Sequence, residues 1–516
     1  MQEPSHNQSI STWVRRIFEI HSMIFWLLLL GIFTYLIVQR SVANITRTPV
    51  WVLWLVMMTP AFVWTGWILL NGESAPIPPV LVLVPFIVCP LLYWLLIQWG
   101  RPTKPASAEA EPVTAEAGIA PNVEKRPTLR PIDKQEESML QNCFPWTVYY
   151  LQNIEYRPQA LICRGQLRTS PEVAYETIRE NVEGHFGNRF LVVFQEGLNG
   201  KPFFALVPNP QLQTVSSQPT TETMSRPGIA VGLLIATIVT TTLAGALFSS
   251  VPNEENARLT LPLFLTGIPY AIALMAVLGT HELAHYLAAQ FYKIRATLPY
   301  FIPVPPTSFF PFGTFGAFIQ MRSPVPNRKA LFDIGIAGPL AGFVVAVPVL
   351  LWGLAHSTTV PLSDESSIFN FESLKPSLLL PALLSKLALG SALSATDAIQ
   401  LHPVAIAGYL GLIVTAINLT PVGQLDGGHI VHAMFGQRVG AAIGQVARLL
   451  VLALSLVQQE FLLWAILLFF IPVVDEPALN DVSELDNKRD LWGLFALSLL
   501  VIIILPAPQV VTRILF

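Results

Sequence analysis

Between residues 279 and 285 the chain reads Gly-Thr-His281-Glu282-Leu-Ala-His285, and three of these side chains could do chemistry together. On a helix, His281 and His285 are four residues apart, so their imidazoles stack on one face close enough to share a metal ion, with Glu282 beside that face. This is the H-E-x-x-H spacing, in which two histidines hold zinc and the glutamate handles the proton of a water. Three fixed identities in five positions can arise by chance in a long chain. The setting argues against chance: the apolar run 263–278 flows directly into the motif. Burying two histidines and a glutamate in such a segment costs several kcal/mol unless they are satisfied, and ionisable groups there mark function by default.

A catalytic zinc site needs a third protein ligand and an open position. The best candidate is Asp426, in Asn418-Leu-Thr-Pro421-Val-Gly-Gln-Leu-Asp426-Gly427-Gly428. Alternation of the spans puts the two histidines and Asp426 near the inner ends of two segments running the same way, at similar depth. The competing reading is an Asp-Gly turn at a membrane surface. His429 and His432 are expected to orient a ligand rather than add to the ligand set. His402 is expected at the membrane interface, and Asp333 is read as a structural charge at the entry to a span.

The elements that must position these residues lie mostly in a membrane. The chain has 516 residues, of which 53% are hydrophobic and 12% charged, with a mean hydropathy of +0.54; soluble domains carry about 25% charged residues. The expected fold class is an α-helical polytopic membrane protein, with about ten spans plus a re-entrant segment and a small α+β soluble domain. A net charge of -3 gives no reason to expect nucleic acid. Three cysteines, Cys89, Cys143 and Cys163, provide neither a disulfide scaffold nor a cysteine metal site. The run 23–38, behind Arg15 and Arg16, lacks a small-residue cleavage site and reads as a retained span.

Five regions follow. Residues 1–100 form an N-terminal segment with spans near 22–38, 50–70 and 78–98. Residues 101–140 are a linker rich in Pro, Ala, Glu, Lys and Thr, too poor in large apolar residues to fold. Residues 141–210 read as the small domain, with a strand at 160–167, a helix at 171–186 and a strand pair at 190–195 and 202–207. The helix is the clearest: Ser170 can cap it, Pro171 opens it, Ala174, Ile178 and Val182 line one face, and Gly184 and Gly187 stop it. Residues 228–475 form a membrane core with spans near 228–249, 263–288, 331–355, 402–420, 440–457 and 461–473. Residues 476–516 carry a final span near 490–506. Basic residues in the linker and in the loop holding Lys293, Arg295, Arg322, Arg328 and Lys329 place those segments, and the chemistry beside them, on the cytoplasmic side. Arg15 and Arg16 fit this orientation less well. The stretch 301–321 is apolar but broken by Pro303, Pro305, Pro306, Pro311, Gly313 and Gly316, so it cannot be an ordinary spanning helix.

Three motifs together, the His281-Glu282-x-x-His285 helix, Gly313-x-x-Gly316-Ala317 and Asn418-x-x-Pro421-x-x-x-x-Asp426-Gly427, resemble the site-2 protease family of zinc intramembrane metalloproteases, peptidase M50. The similarity covers roughly 228–475. The Asn418-to-His429 run, the 333–342 stretch and the preceding small domain are most similar to the cyanobacterial and chloroplast branch, which includes the ethylene-dependent gravitropism-deficient and yellow-green proteins. A PDZ domain of the kind found in the family is not visible, because 141–210 shows too few strands and 355–401 is too short. The resemblance implies one Zn2+ per chain held by His281, His285 and Asp426, with Glu282 as general base and then general acid. It also implies that Asn418 hydrogen-bonds the developing oxyanion. The 301–321 stretch resembles family segments that dip into the bilayer and offer an extended edge to an unwound substrate.

The implied partners are the lipid bilayer and a transmembrane protein substrate, such as an anti-sigma factor or another membrane-anchored regulator, in a bacterial plasma membrane or a thylakoid. Rival readings are a zinc peptidase acting on soluble termini, a non-catalytic membrane chaperone on the same fold, and a zinc transporter. A transporter needs ligands spaced along a path, whereas this chain shows one cluster. The soluble-terminus peptidase typically takes a downstream glutamate as third ligand, and no acidic residue occurs between Asp333 and Asp364. The 141–210 domain lacks a catalytic cluster, so it is expected to be a filter or docking module, dispensable for peptide-bond chemistry.

Overall fold

A computed structural model describes residues 48–71, 134–157, 160–197, 200–209, 227–249, 260–307, 310–361, 378–390, 397–458 and 461–507, together with Ile132 and scattered positions between 27 and 99. Most of the expected linker 101–140, and most of the expected spans 22–38 and 78–98, lie outside the described residues. The chain divides into two compact units, 1–125 and 126–516. In the first, α1 (Val50–Asn71) is a 22-residue apolar helix with Pro60 inside it. Its Leu53 is buried against Val38, and the Trp54 indole donates to the Gly31 carbonyl at 2.8 Å.

The second unit opens with α2 (Lys134–Asn142), so helix intrudes into the last residues assigned to the linker. The small domain follows as β1 (Tyr149–Arg157), β2 (Ala160–Leu167), α3 (Pro171–Phe186), β3 (Phe190–Glu196) and β4 (Pro202–Pro208). Its antiparallel sheet has the order β1-β2-β4-β3. β1 is the element the sequence does not announce: a bulge between Leu151 and Asn153 and the polar residues Gln152, Asn153 and Glu155 blur the alternation that marks a strand. The sheet therefore has four strands where three were expected. The helix α3 buries Ala174, Tyr175, Ile178 and Val182 and ends at Gly187, whose φ of 58° is the left-handed turn that glycine permits. Gly184 lies within the helix, and the Ser170 side chain makes no capping bond.

The membrane core comprises α4 (Pro227–Ser249), α5 (Leu261–Thr266), α6 (Ile268–Phe291), a hairpin of β5 (Tyr300–Pro303) and β6 (Thr314–Phe318), α7 (Arg328–Ala355), β7 (Thr358–Pro361), α8 (Leu379–Leu389), β8 (Asp397–Gln400), α9 (Pro403–Leu419), α10 (Asp426–Phe435), α11 (Gln437–Val457), α12 (Leu462–Phe470) and α13 (Asn487–Ile504). Among the described residues, five helical segments are long and apolar enough to cross a membrane: α1, α4, α5 with α6, α7, and α11. This is a membrane protein of mostly helical build with small sheets. The expected span at 402–420 is the 17-residue α9, and that at 461–473 is the nine-residue α12. The apolar run before the histidines is not one straight helix. It turns at Gly267, which sits so tightly on the Thr242 carbonyl of α4 that any Cβ would collide.

The helix α7 is the spine of the core. A side chain on Gly353, Gly408 or Gly411 would strike Ala405, Leu350 or Ala346 respectively, so α7 and α9 run antiparallel with their backbones in near contact. Gly338 and Gly342 of α7 lie in the same way against His285 and His281 of α6. Hence α6 and α9 run in the same direction, both opposed to α7. The start of α7 is capped by the Asn327 side chain, which accepts from the Ala330 amide at 2.9 Å.

Candidate metal centre

His281, Glu282 and His285 occupy the second half of α6 and are buried, at 3%, 8% and 7% exposure. Asp426 is the first residue of α10 and follows the tight loop 420–425 that ends α9. That loop can close because Gly423 has a φ of 52° and packs against the Pro472 carbonyl, while Gly427 packs on the Leu419 carbonyl. The shared direction of α6 and α9 then brings Asp426 level with both histidines. His285 Nε2 lies 3.1 Å from His281 Nε2, and Asp426 Oδ2 lies 3.5 Å from the first histidine and 3.3 Å from the second. Ligand atoms about 2.0–2.1 Å from a tetrahedral zinc ion are separated from one another by about 3.3 Å. All three separations match that spacing, so the donor set fits a tetrahedral cation with one position left open.

The surroundings set the protonation the site needs. His285 Nδ1 donates to the Ile334 carbonyl of α7 at 2.8 Å, which leaves the Nε2 lone pair directed at the centre. The Asn418 side-chain nitrogen is 3.1 Å from His281 Nε2, so it borders the donor cluster. The Glu282 carboxylate accepts from the backbone amide of Ile319, immediately after β6, and so stands between the metal-ligand cluster and the hairpin. The hairpin is held from the other side as well. The Tyr270 hydroxyl donates to the Phe312 carbonyl at 3.0 Å, and Gly313, with a φ of 84°, packs on the α4 backbone at Thr240 and Thr241.

The two histidines expected to orient a ligand do not touch the three donor side chains directly. His429 Nδ1 and His432 Nδ1 each donate to Asp475 Oδ2 at 2.8 Å, and His432 Nε2 donates to Asp481 Oδ1 at 2.9 Å. Neither bonds to His281, His285 or Asp426. Sequence reasoning passed over Asp475 and Asp481, which carry no motif and lie more than 40 residues from their partners. His402 caps α9, its Nδ1 accepting from the Val404 amide at 3.2 Å. Asp333 is paired with Arg489 at 2.6 Å and accepts from the Tyr292 hydroxyl at 2.5 Å, tying the ends of α6, α7 and α13 together.

The glycines of α7 are the other missed contributors. A methyl group at Gly338 would overlap the His285 imidazole, whereas one at Gly279 would meet nothing within 4 Å. Alanine in place of glycine favours a helix interior by about 1 kcal/mol. Gly279→Ala is therefore expected to be neutral or stabilising. Gly338→Ala is expected to displace His285 and weaken zinc binding by about tenfold or more, read as metal content by elemental analysis at unchanged helical circular dichroism. Equal metal content in the two variants would show that the α7 glycines only serve packing.

The sequence profile of peptidase family M50 matches residues 269–458, which holds every residue of the cluster. The chain is 29% identical over 375 residues to "Probable zinc metalloprotease EGY2, chloroplastic" of Oryza sativa subsp. indica, an alignment covering 71% of this chain and 65% of that protein. It is 28% identical over 373 residues to the Arabidopsis thaliana protein of the same name, covering 71% of this chain and 63% of that one. It is 34% identical over 256 residues to "Probable zinc metalloprotease EGY1, chloroplastic" of Arabidopsis thaliana, covering 49% of this chain and 45% of that one. The chain thus spans just under two thirds of the EGY2 proteins it matches. No solved structure matches it. Residues 269–458, with the H-E-x-x-H helix and Asp426 among them, thus match peptidase family M50, the site-2 protease family, and the chain is similar to its plant chloroplast members.

Proposed function

We propose that the protein is a zinc-dependent intramembrane endopeptidase that hydrolyses peptide bonds within or near transmembrane segments of membrane-anchored substrates. The observation that carries this reading is the convergence of three donor atoms at tetrahedral spacing, buried in the flank of a helix long and apolar enough to span a bilayer. A zinc ion bound there supplies Lewis acidity, polarising a carbonyl and lowering the pKa of water. Glu282 takes the proton of the attacking water and passes it to the leaving amine. Asn418 carries a side-chain amide bordering the metal-ligand cluster, where it can stabilise the oxyanion that develops on the scissile carbonyl. β6 lies next to Glu282, and pairing of an unwound substrate strand with it would hold the scissile amide extended beside the base. This role suits a hairpin that dips into the membrane. The names of the relatives support a thylakoid or chloroplast-type membrane as the setting.

Reconstitution separates this from a peptidase of soluble termini. Purified protein in lipid vesicles is expected to cleave a single-span model substrate, to lose that activity to a zinc chelator, and to leave a water-soluble peptide of the same cleavage sequence intact. Cleavage of the soluble peptide alone would favour the rival. Cleavage of neither, by protein that holds zinc, would favour a non-catalytic role.

A further inference from the structure

The small domain is joined to the membrane core through residues 479–481. This segment, bridged at Asn480, lies between β3 and the residues before α7: Phe194 of β3 donates to the Leu479 carbonyl at 2.7 Å and accepts from Asp481 at 2.9 Å, while Leu479 and Asn480 donate to the carbonyls of Val325 and Pro326 at 2.9 and 3.0 Å. The side chains of Leu479 and Val482 pack into the small domain's own core. The edge of the domain's sheet is therefore tied by backbone hydrogen bonds through 479–481 to the residues that lead into α7, with the Lys329–Glu172 ion pair at 2.6 Å beside the join. This is a seated domain, not one that merely hangs on a linker.

One side chain connects that seam to the metal centre. His432 is 1% exposed and donates from both ring nitrogens, to Asp475 and to Asp481. A neutral imidazole has only one N–H, so bonds to two carboxylates require the imidazolium. Arg328, the first residue of α7, shares Asp481 at 3.4 Å, and Gln437 holds the Asp475 backbone carbonyl at 2.8 Å. His432 and Asp426 lie on the same short helix, about 9 Å apart along its axis at 1.5 Å per residue.

We infer that His432 is a positioning residue for the metal centre: clamped between Asp475 and Asp481, it holds the helix bearing Asp426 against the segment that seats the small domain, so that seating the domain sets the third ligand. The inference rests on the zinc reading given above and departs from the expectation that the domain is dispensable for chemistry. Its consequence is that a partner bound to the small domain could alter the metal site by shifting 479–481, with no contact to the site itself.

The test is a double-mutant cycle in the full-length protein, reading zinc affinity by competition with a chromogenic chelator. His432→Gln and the near-isosteric Asp481→Asn are each expected to weaken zinc binding about tenfold, the lower end of losses seen when outer partners of a metal site are removed. The double variant is expected to be no weaker than either single one, because both break the same link. Thermal unfolding of each variant supplies the control for folding. Asp481→Asn, which retains the carbonyl acceptor, keeps the test available if His432→Gln does not accumulate. Lower unfolding temperatures with wild-type zinc affinity would overturn the inference, leaving His432 a purely structural residue. Fully additive losses would overturn it too. If the wild-type protein binds no zinc at all, the metal reading itself fails, and the wild-type titration identifies that outcome separately.

A pH profile gives a second readout. Burial opposes charge on His432, yet its hydrogen bonds to Asp475 and Asp481 push it up to about 9 from 6.5. The groups facing it are those two carboxylates, with His429 on Asp475 and Arg328 on Asp481. A histidine whose folded value is raised contributes stability fully below its unfolded value and loses it as pH rises through the folded one. The unfolding-temperature advantage of wild type over His432→Gln is thus expected to be full below pH 6.5 and to vanish through about pH 9. An advantage independent of pH across that window would show that His432 is not an imidazolium in the clamp.

Discussion

Glu282→Gln is expected to lower turnover by about 10²–10⁴-fold, the range that a positioned general base contributes, while leaving zinc content at the wild-type level. Glutamine keeps the size and the hydrogen-bond acceptor, so the contact with the Ile319 amide and the burial at 8% exposure can persist. What it loses is the ability to take a proton from water. The geometry puts no Glu282 oxygen in the donor set, which consists of His281, His285 and Asp426. Elemental analysis of the purified variant alongside a reconstituted cleavage assay decides the matter. Loss of metal would make Glu282 a ligand, and retained turnover would remove it from the chemistry.

Asp426→Ala is expected to empty the site and abolish activity together. Structural zinc sites in peptides bind with about 10–16 kcal/mol from four ligands, roughly 2.5–4 kcal/mol each, so losing one ligand lowers affinity by about 10²–10³-fold. The loss has a second part here. His281 Nε2 and His285 Nε2 lie 3.1 Å apart, and the Asp426 carboxylate would supply the third donor and the balancing negative charge for a cation held by them. Removing it leaves a weak two-histidine site in a buried pocket. Chelator competition on wild type and variant measures the change directly. Full zinc occupancy with normal turnover in Asp426→Ala would reject the carboxylate as third ligand and send the search to another donor.

The two expected outcomes separate the roles cleanly: one variant keeps metal and loses chemistry, the other loses both. A variant pair with the pattern reversed would exchange the roles of the two acidic residues, which the H-E-x-x-H spacing by itself does not forbid.

What the sequence determined by itself is what local geometry controls. A spacing of four residues on a helix puts His281 and His285 on one face whatever else the chain does, because the helical repeat is a property of the backbone. Apolar length marks α4, α6, α7 and α11 as membrane-type helices for the same reason, and the prolines and glycines of 301–321 forbid a helix there before any packing is known. Asp426 was within reach of the sequence because the depth of a residue follows from its position along a span. The tertiary structure alone decided the relations between distant segments. Nothing near Asp475 or Asp481 marks them as partners of His432, 43 and 49 residues away, and the pairing of Asp333 with Arg489 spans 156 residues. No pattern in the sequence marks 479–481, which is held in place only because β3 and residues 325–326 bond to its backbone from both sides. Likewise, glycines 338 and 342 lie in a stretch that carries the family resemblance, but what they do shows only because α7 packs with its backbone against the two histidines. Periodicity is written into each segment, but the meeting of two segments depends on the shape and free hydrogen bonds of both, which is why the ligand-bearing helix was legible and its attachment to the small domain was not.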